Sequence, residues 1–259
     1  MPADAATIAA GEVYALEEAI AKAQWDSVRN RDPQAAYNPY PLGSLPELGN
    51  NLGWAQAVTA LGLDDVDKVI VRQPSYFEAL DGIIADTPIE TWKNYLAFHV
   101  MDTSASLLDE TTDTIAFEYR NRILYGQAEQ QPRWKRGIQM VNGLLGEAVG
   151  KLYVAEHFPP EAKAKMEELV QNVIVTLEDS IDELEWMTEE TRIKPREKLS
   201  KFTPKIGYPD VWKDYSTLEI IAGDNVGNVR RAREWAYQQD LDKLGEPVDK
   251  NERHMNPQT

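Results

Sequence analysis

The chain has 259 residues, enough for one large domain or two modest ones, and its hydrophobic share of 42% is too high for a disordered chain. Forty-three acidic residues against 27 basic ones give a formal charge of −16, which argues against phosphate backbones and anionic lipid surfaces as partners. With no cysteine, disulfides, thiolate metal sites and cysteine nucleophiles are all excluded.

No apolar run approaches the roughly 20 residues of a membrane span. Met1-Pro-Ala-Asp-Ala-Ala-Thr7 lacks the basic start and apolar stretch of a signal peptide, so read alone it points to the cytoplasm. A chain cut from the middle of a longer one would look the same.

Val13, Leu16, Ile20 and Ala23 share one stripe and predict a surface helix with one buried face. The prolines of Asn38-Pro-Tyr-Pro-Leu-Gly43 predict a loop, and a second helical stretch is expected over about Pro46 to Leu61 despite Gly49 and Gly53. Asp67 to Arg72, rich in β-branched residues and ended by Pro74, is the best strand candidate. Helices follow over Tyr76–Ile84 and Ile89–Leu108, the latter capped by Thr87 with Pro88 at the first helical position, and over Glu110–Tyr125 up to Gly126.

Ile138, Val141, Leu145, Ala148, Leu152 and Ala155 mark one long helix. Met166, Leu169, Val173, Leu177, Ile181 and Leu184 mark another beyond Phe158-Pro-Pro160, and the two are expected to form an antiparallel hairpin. Thr188 before Glu189 and Glu190 reads as a helix start, with a kink or fraying at Pro195. Phe202 to Asp210 reads as a loop. A last helix spans about Asp224 to Leu244, burying Val229, Ala236 and Leu241, before Gly245-Glu-Pro247 and a polar tail. The fold expected is mainly α, a multi-helix lobe with helical hairpins and at most one or two short strands.

The chemistry-bearing residues are sparse. His99, His157 and His254 are scattered, with no His-Glu-x-x-His pair to place two imidazoles on one helical face, and His157 can simply cover carbonyls at a helix end. In Glu178-Asp-Ser-Ile-Asp-Glu-Leu-Glu185, Glu178 stacks over Asp182 and Asp179 over Glu183. That reads as the solvated face of a helix whose other side is apolar, with an independent metal–carboxylate site as a third possibility. Basic clusters at Arg192–Lys205, Arg133–Arg136 and Arg230–Arg233 read as ordinary surface, or as contacts for an acidic partner or an anionic peptide end. The seven tryptophans read as core anchors, and no phosphate loop, nucleophile elbow or Ser/His/Asp arrangement stands out.

Leu144-Leu-Gly-Glu-Ala-Val-Gly-Lys-Leu-Tyr-Val-Ala-Glu-His-Phe158 resembles the neprilysin and endothelin-converting-enzyme family of zinc metalloendopeptidases, its bacterial branch above all. The likeness continues through Lys205-Ile-Gly-Tyr-Pro-Asp-Val-Trp212, Gly223-Asp-Asn-Val-Gly-Asn-Val-Arg230, Asn30-Arg-Asp-Pro33 and Tyr37-Asn38. The resemblance covers the later part of the family's N-terminal region. It implies that residues 1–259 form one helical unit, with 1–205 as a lid lobe and 206–259 as loop, last helix and polar tail leading toward an absent zinc lobe.

The family's His-Glu-x-x-His helix, downstream glutamate ligand, catalytic carboxylate and substrate-gripping Asn-Ala-aromatic stretch all lie beyond Thr259. No catalytic, cofactor-binding or metal-binding residue is therefore assigned to this chain, and zinc is expected only in the complete enzyme. The implied role is a non-catalytic lobe, fragment or split subunit, that restricts a small-peptide cavity and partners a zinc-bearing C-terminal lobe. The alternative is a stand-alone peptide-binding or scaffold protein derived from such an enzyme. The family points to the periplasm or the extracellular space. Pro195, Arg196 and Arg253 depart from the family pattern, which favours helix-forming Ala and Leu at the first two and tryptophan at the third.

Overall fold

In the computed structural model residues 2–258 are described. They are mainly α-helical with one pair of short strands, and the chain divides into two compact units between Tyr125 and Gly126.

In the first unit, α1 (Ala3–Ala23) buries Val13 and Leu16 and packs on α3 (Pro74–Asp86) and α4 (Ile89–Ser104). The expected loop at Asn38–Gly43 contains a strand instead. Here β1 (Pro39–Pro41) pairs antiparallel with β2 (Lys68–Ile70), Tyr40 opposite Val69. The Val71 amide donates to the Asn38 carbonyl at 2.8 Å and the Leu42 amide to the Asp67 carbonyl at 3.2 Å. Bonded pairs alternate along an antiparallel ladder, so Pro39 and Pro41 fall at the non-bonded positions, where an amide would face away from the partner. Two prolines one residue apart therefore break nothing.

The expected helix over Pro46–Leu61 is two pieces: a 3₁₀ run, Leu42–Leu48, and α2 (Trp54–Ala60). Gly49 parts them at φ 147°, and a Cβ there would lie 2.5 Å from the Asp81 side chain. The Asp81 carboxylate accepts from the Asn51 amide and side chain at 2.6 and 3.0 Å. Leu45, Leu48 and Val71 form the buried centre, ringed by Tyr40, Leu42, Trp54, Val58, Val69 and Phe77.

The α4 helix starts at Ile89 as expected, but the cap is not Thr87. Pro88 is its N-cap, and the Thr91 and Trp92 amides donate to the Pro88 carbonyl, which leaves Thr87 outside with no capping bond. Asp109 caps α5 (Glu110–Phe117), its carboxylate accepting from the Thr112 amide at 3.0 Å; a π-helical turn, Glu118–Ile123, then carries the chain to Tyr125.

The second unit holds α6 (Arg133–His157), α7 (Pro160–Glu183), α8 (Glu189–Ser200) and α9 (Asn225–Leu241). The expected α6–α7 pair packs little: α7 packs mainly on α8 and α6 on α9. Pro159, extended at ψ 156°, separates α6 from α7, and Met166, Leu169, Val173 and Leu177 of the α7 stripe are each 43–52% exposed. On α9, Val229 and Ala232 are buried while Ala236 is exposed, because burial needs a covering neighbour as well as the right face.

Pro195 neither frays nor interrupts α8, which runs from Glu189 to Ser200 behind the Thr188 hydroxyl cap. Arg196 spans the turn that the proline weakens. Its guanidinium donates to Asp182 of α7 at 2.8 Å and to Glu189 of α8 at 2.9 Å, and it holds the Glu189 carboxyl below the usual carboxylate range. An interior proline still forfeits a backbone bond, so Pro195→Ala is expected to raise stability by about 1–3 kcal/mol, read as a higher denaturant midpoint at unchanged slope.

Candidate interaction site

Two of the stretches singled out in the sequence meet in the second unit. Gly207, at φ 61°, lies so close to Phe158 at the end of α6 that a Cβ would overlap the ring edge. Tyr208 stands edge-on to Phe158 at 5.8 Å and stacks on Trp212 at 6.1 Å. Lys163 of α7, its side chain 12% exposed, donates to the Tyr208 carbonyl at 3.2 Å and to Asp210 at 2.6 Å. Glu147 of α6 accepts from the Lys213 amide at 2.8 Å. The Lys-Ile-Gly-Tyr-Pro-Asp-Val-Trp segment is thereby fastened to both α6 and α7.

At the start of α9 the Asp224 carboxylate accepts from the Gly227 amide at 3.0 Å and from Arg231 at 3.0 Å, in the space a Gly227 Cβ would fill. The Asn228 side chain closes the preceding turn with two 2.8 Å bonds to the Ile221 backbone. The Asn30 and Asn38 stretches do equivalent work in the first unit. Asn38 donates to the Ala35 and Val71 carbonyls, and Asn30 pairs with Gln73 at 2.9 Å. Each of these signature residues is tied to local architecture.

A cavity of about 910 Å³ opens beside this assembly, walled by Glu147, Lys205, Trp212, Lys243, Glu252 and Arg253 among others. Its charges are largely matched. Lys243 bonds Asp240 at 2.8 Å and Glu252 at 2.6 Å, which raises its own proton affinity and lowers that of Glu252. Lys205 donates to the Glu252 carbonyl, and Arg253, standing where the family pattern has tryptophan, donates to the Ile206 carbonyl at 3.2 Å.

Lys163 also holds the Asp210 carboxyl below its ordinary value of 3.8. A folded-state pKa below the unfolded one means the unfolded chain binds more protons on acidification. The stability this pair contributes is therefore present above the ordinary carboxylate range and lost as pH falls through it. We expect the Trp fluorescence midpoint in denaturant to drop between about pH 5 and about pH 2, with a smaller drop in Lys163→Met.

The histidines are not brought together into a site. His99 on α4 lies 2.9 Å from Glu17 and packs on Tyr95 at 4.3 Å; His157 packs at a tilt on Tyr153 at 4.9 Å; His254 is exposed on the tail. The acidic run on α7 is an exposed face, with Asp182 engaged by Arg196. Within the basic stretch Arg192 donates to the Leu184 carbonyl at 2.9 Å and Lys201 pairs with Glu197. Among the described residues no group of three or more His, Asp or Glu side chains is placed to hold a metal ion, so a zinc implied by the resemblance does not fit these residues.

Sequence reasoning missed the role of the tail. Asn256, Pro257 and Gln258 lie across α6 where Gly146 and Gly150 are buried, and a Cβ on Gly150 would come within 2.7 Å of Pro257. The signal was legible as glycines four apart in a strong helix, one face stripped of side chains for a close approach.

Such a chain is mainly α-helical, with one pair of short strands among the described residues. It matches peptidase family M13 over residues 1–209, and it belongs to that family. Human membrane metallo-endopeptidase-like 1 is 30% identical over 258 residues, covering 93% of this chain and 33% of the relative. Rabbit neprilysin is 27% identical, covering 93% of this chain and 35% of its own length. Among solved structures, the Mycobacterium tuberculosis zinc metalloprotease Zmp1 in its open state superimposes with a TM-score of 0.89 at 40% identity. That match covers 97% of this chain and 39% of the neighbour. The same enzyme in complex with an inhibitor gives 0.83 at 39% identity, covering 96% of this chain and 38% of the neighbour. The chain thus spans about a third of the length of the curated relatives it matches. No described helix is long and apolar enough to cross a membrane.

Proposed function

We propose that this chain is the non-catalytic helical lobe of a neprilysin-like zinc metalloendopeptidase, restricting which peptides reach an active-site cavity whose zinc and catalytic carboxylate belong to a second lobe. One observation carries the reading: an uncovered apolar surface in a chain of this family. The accessible surface is 18,925 Å², whereas two separate compact globules of half the 29.3 kDa mass would together expose roughly 14,000 Å². The excess includes the α7 stripe, and Leu96, Val100 and Met101 of α4, which are 57–66% exposed. Apolar patches of that kind mark surfaces that another body covers.

The family membership and the likeness to a zinc metalloprotease support peptide hydrolysis as the activity of the assembled enzyme. There a zinc ion would polarise water and substrate. The residues of this chain shape and close the cavity, and none of them takes a proton in the reaction. The expected result for the isolated chain is no stoichiometric zinc after equilibrium dialysis and elemental analysis. One tightly held zinc per chain would overturn the proposal and favour an independent metal site.

A further inference from the structure

Residues 253–258 cross α6 at its one irregular point. Leu145 leaves the helical region, at φ −128° and ψ 37°, within an otherwise continuous α6. The carbonyls of Asn142 and Gly146 flank that kink, and both are taken by the tail. Asn256 Nδ2 donates to the Asn142 carbonyl at 3.4 Å, and Gln258 Nε2 donates to the Gly146 carbonyl at 3.0 Å and to Asn142 Oδ1 at 3.2 Å. Pro257 fills the space above Gly150, a shape contact that any side chain there would block.

We propose that residues 253–258 are a releasable strap, seated on α6 by two carboxamides and coupled to the Leu145 kink and to the neighbouring cavity. Three features make the seat reversible. The bonds are side-chain amides on helix carbonyls, individually weak and easily exchanged for water. The Gln258 Oε1 atom is buried with no hydrogen-bond partner among the described residues, a cost that offsets part of what Nε2 gains. Apart from Pro257, little apolar surface anchors the segment, since His254 and Met255 are exposed.

Seating also has a consequence beyond the tail. Glu252 and Arg253, at the root of the strap, wall the 910 Å³ cavity, and Arg253 reaches the Ile206 carbonyl beside Gly207. Lifting the strap removes part of that wall and frees the helix carbonyls at the kink. Strap, kink and cavity then form one element with two arrangements, and anything that fills the cavity shifts the balance between them. The inference stands on contacts within this chain and does not depend on the proposed peptidase role.

The test uses the full chain. In the double variant Asn256→Ala/Gln258→Ala, which leaves α6 intact, amide exchange over residues 142–150 should quicken about tenfold or more, and trypsin should cleave after Arg253 faster by a similar factor. Gly150→Leu should do the same from the α6 side, with the tail sequence unchanged. Two results overturn the strap. One is unchanged exchange over 142–150 in the tail double variant. The other is cleavage after Arg253 in the parent chain as fast as in that variant.

Discussion

Gly207→Ala is expected to destabilise the second unit by about 2–4 kcal/mol. Two costs add at one position. The backbone sits at φ 61°, where an L side chain pays roughly 1 kcal/mol or more relative to glycine. The new carbon also meets the Phe158 ring, which cannot retreat freely because Tyr208 stands edge-on against it. Relief would require Phe158 or the whole 205–212 segment to shift, and Lys163 pins that segment through Tyr208 and Asp210. Urea denaturation followed by tryptophan fluorescence reads the effect, since Trp212 reports on the segment directly. A loss under about 0.5 kcal/mol would show that the contact yields without strain.

A second large effect is expected on the exposed face of α7. Leu169 and Val173 are 52% and 51% exposed, so carboxylates there cost the isolated chain little, about 0.5 kcal/mol or less. If another lobe covers the stripe, the same changes place two charges in an apolar contact. Covering the remaining half of each side chain is worth roughly 1 kcal/mol, and burying an unpaired carboxylate adds several more. Leu169→Asp/Val173→Asp should therefore weaken association at least a hundredfold, about 2.7 kcal/mol, while leaving the denaturation midpoint of the free chain nearly unchanged. That contrast separates an interface from a folding core. A core substitution would move both quantities together.

Helix periodicity made most elements legible, because 3.6-residue spacing and helix caps are local properties. The Thr188 hydroxyl and the stripes of α1, α6 and α7 read through directly. Periodicity says that a face is apolar without saying what covers it, which is why the stripes of α6 and α7 predict a pair while α7 packs mainly on α8. The same gap explains Ala236, which lies on the right face of α9 and stays exposed. Proline misled twice, each time toward disruption. Pro39 and Pro41 read as a loop, because their harmlessness depends on a register set by a strand about 30 residues away. Pro195 predicts a kink or fraying, because the Arg196 contact with Asp182 of α7 is tertiary.

The signature stretches identified a family from sequence, but their physical roles needed coordinates. Gly207 beside Phe158 and Gly150 beside Pro257 are close approaches between segments more than 40 residues apart. A glycine announces that something comes near; it does not say what. The cavity walled by Trp212, Lys243 and Arg253 has no local sequence signal at all, since the tail must fold back to complete it.

As proposed, this chain completes an active site whose zinc and catalytic carboxylate another lobe carries. The most direct test titrates it against the remainder of Mycobacterium tuberculosis Zmp1, expressed without the region this chain matches, and follows cleavage of a fluorogenic peptide. The account predicts chelator-sensitive cleavage only in the mixture, with the titration shifted at least about a hundredfold by Leu169→Asp/Val173→Asp. Chelator-sensitive cleavage by this chain alone, or a mixture that neither associates nor cleaves, would contradict it.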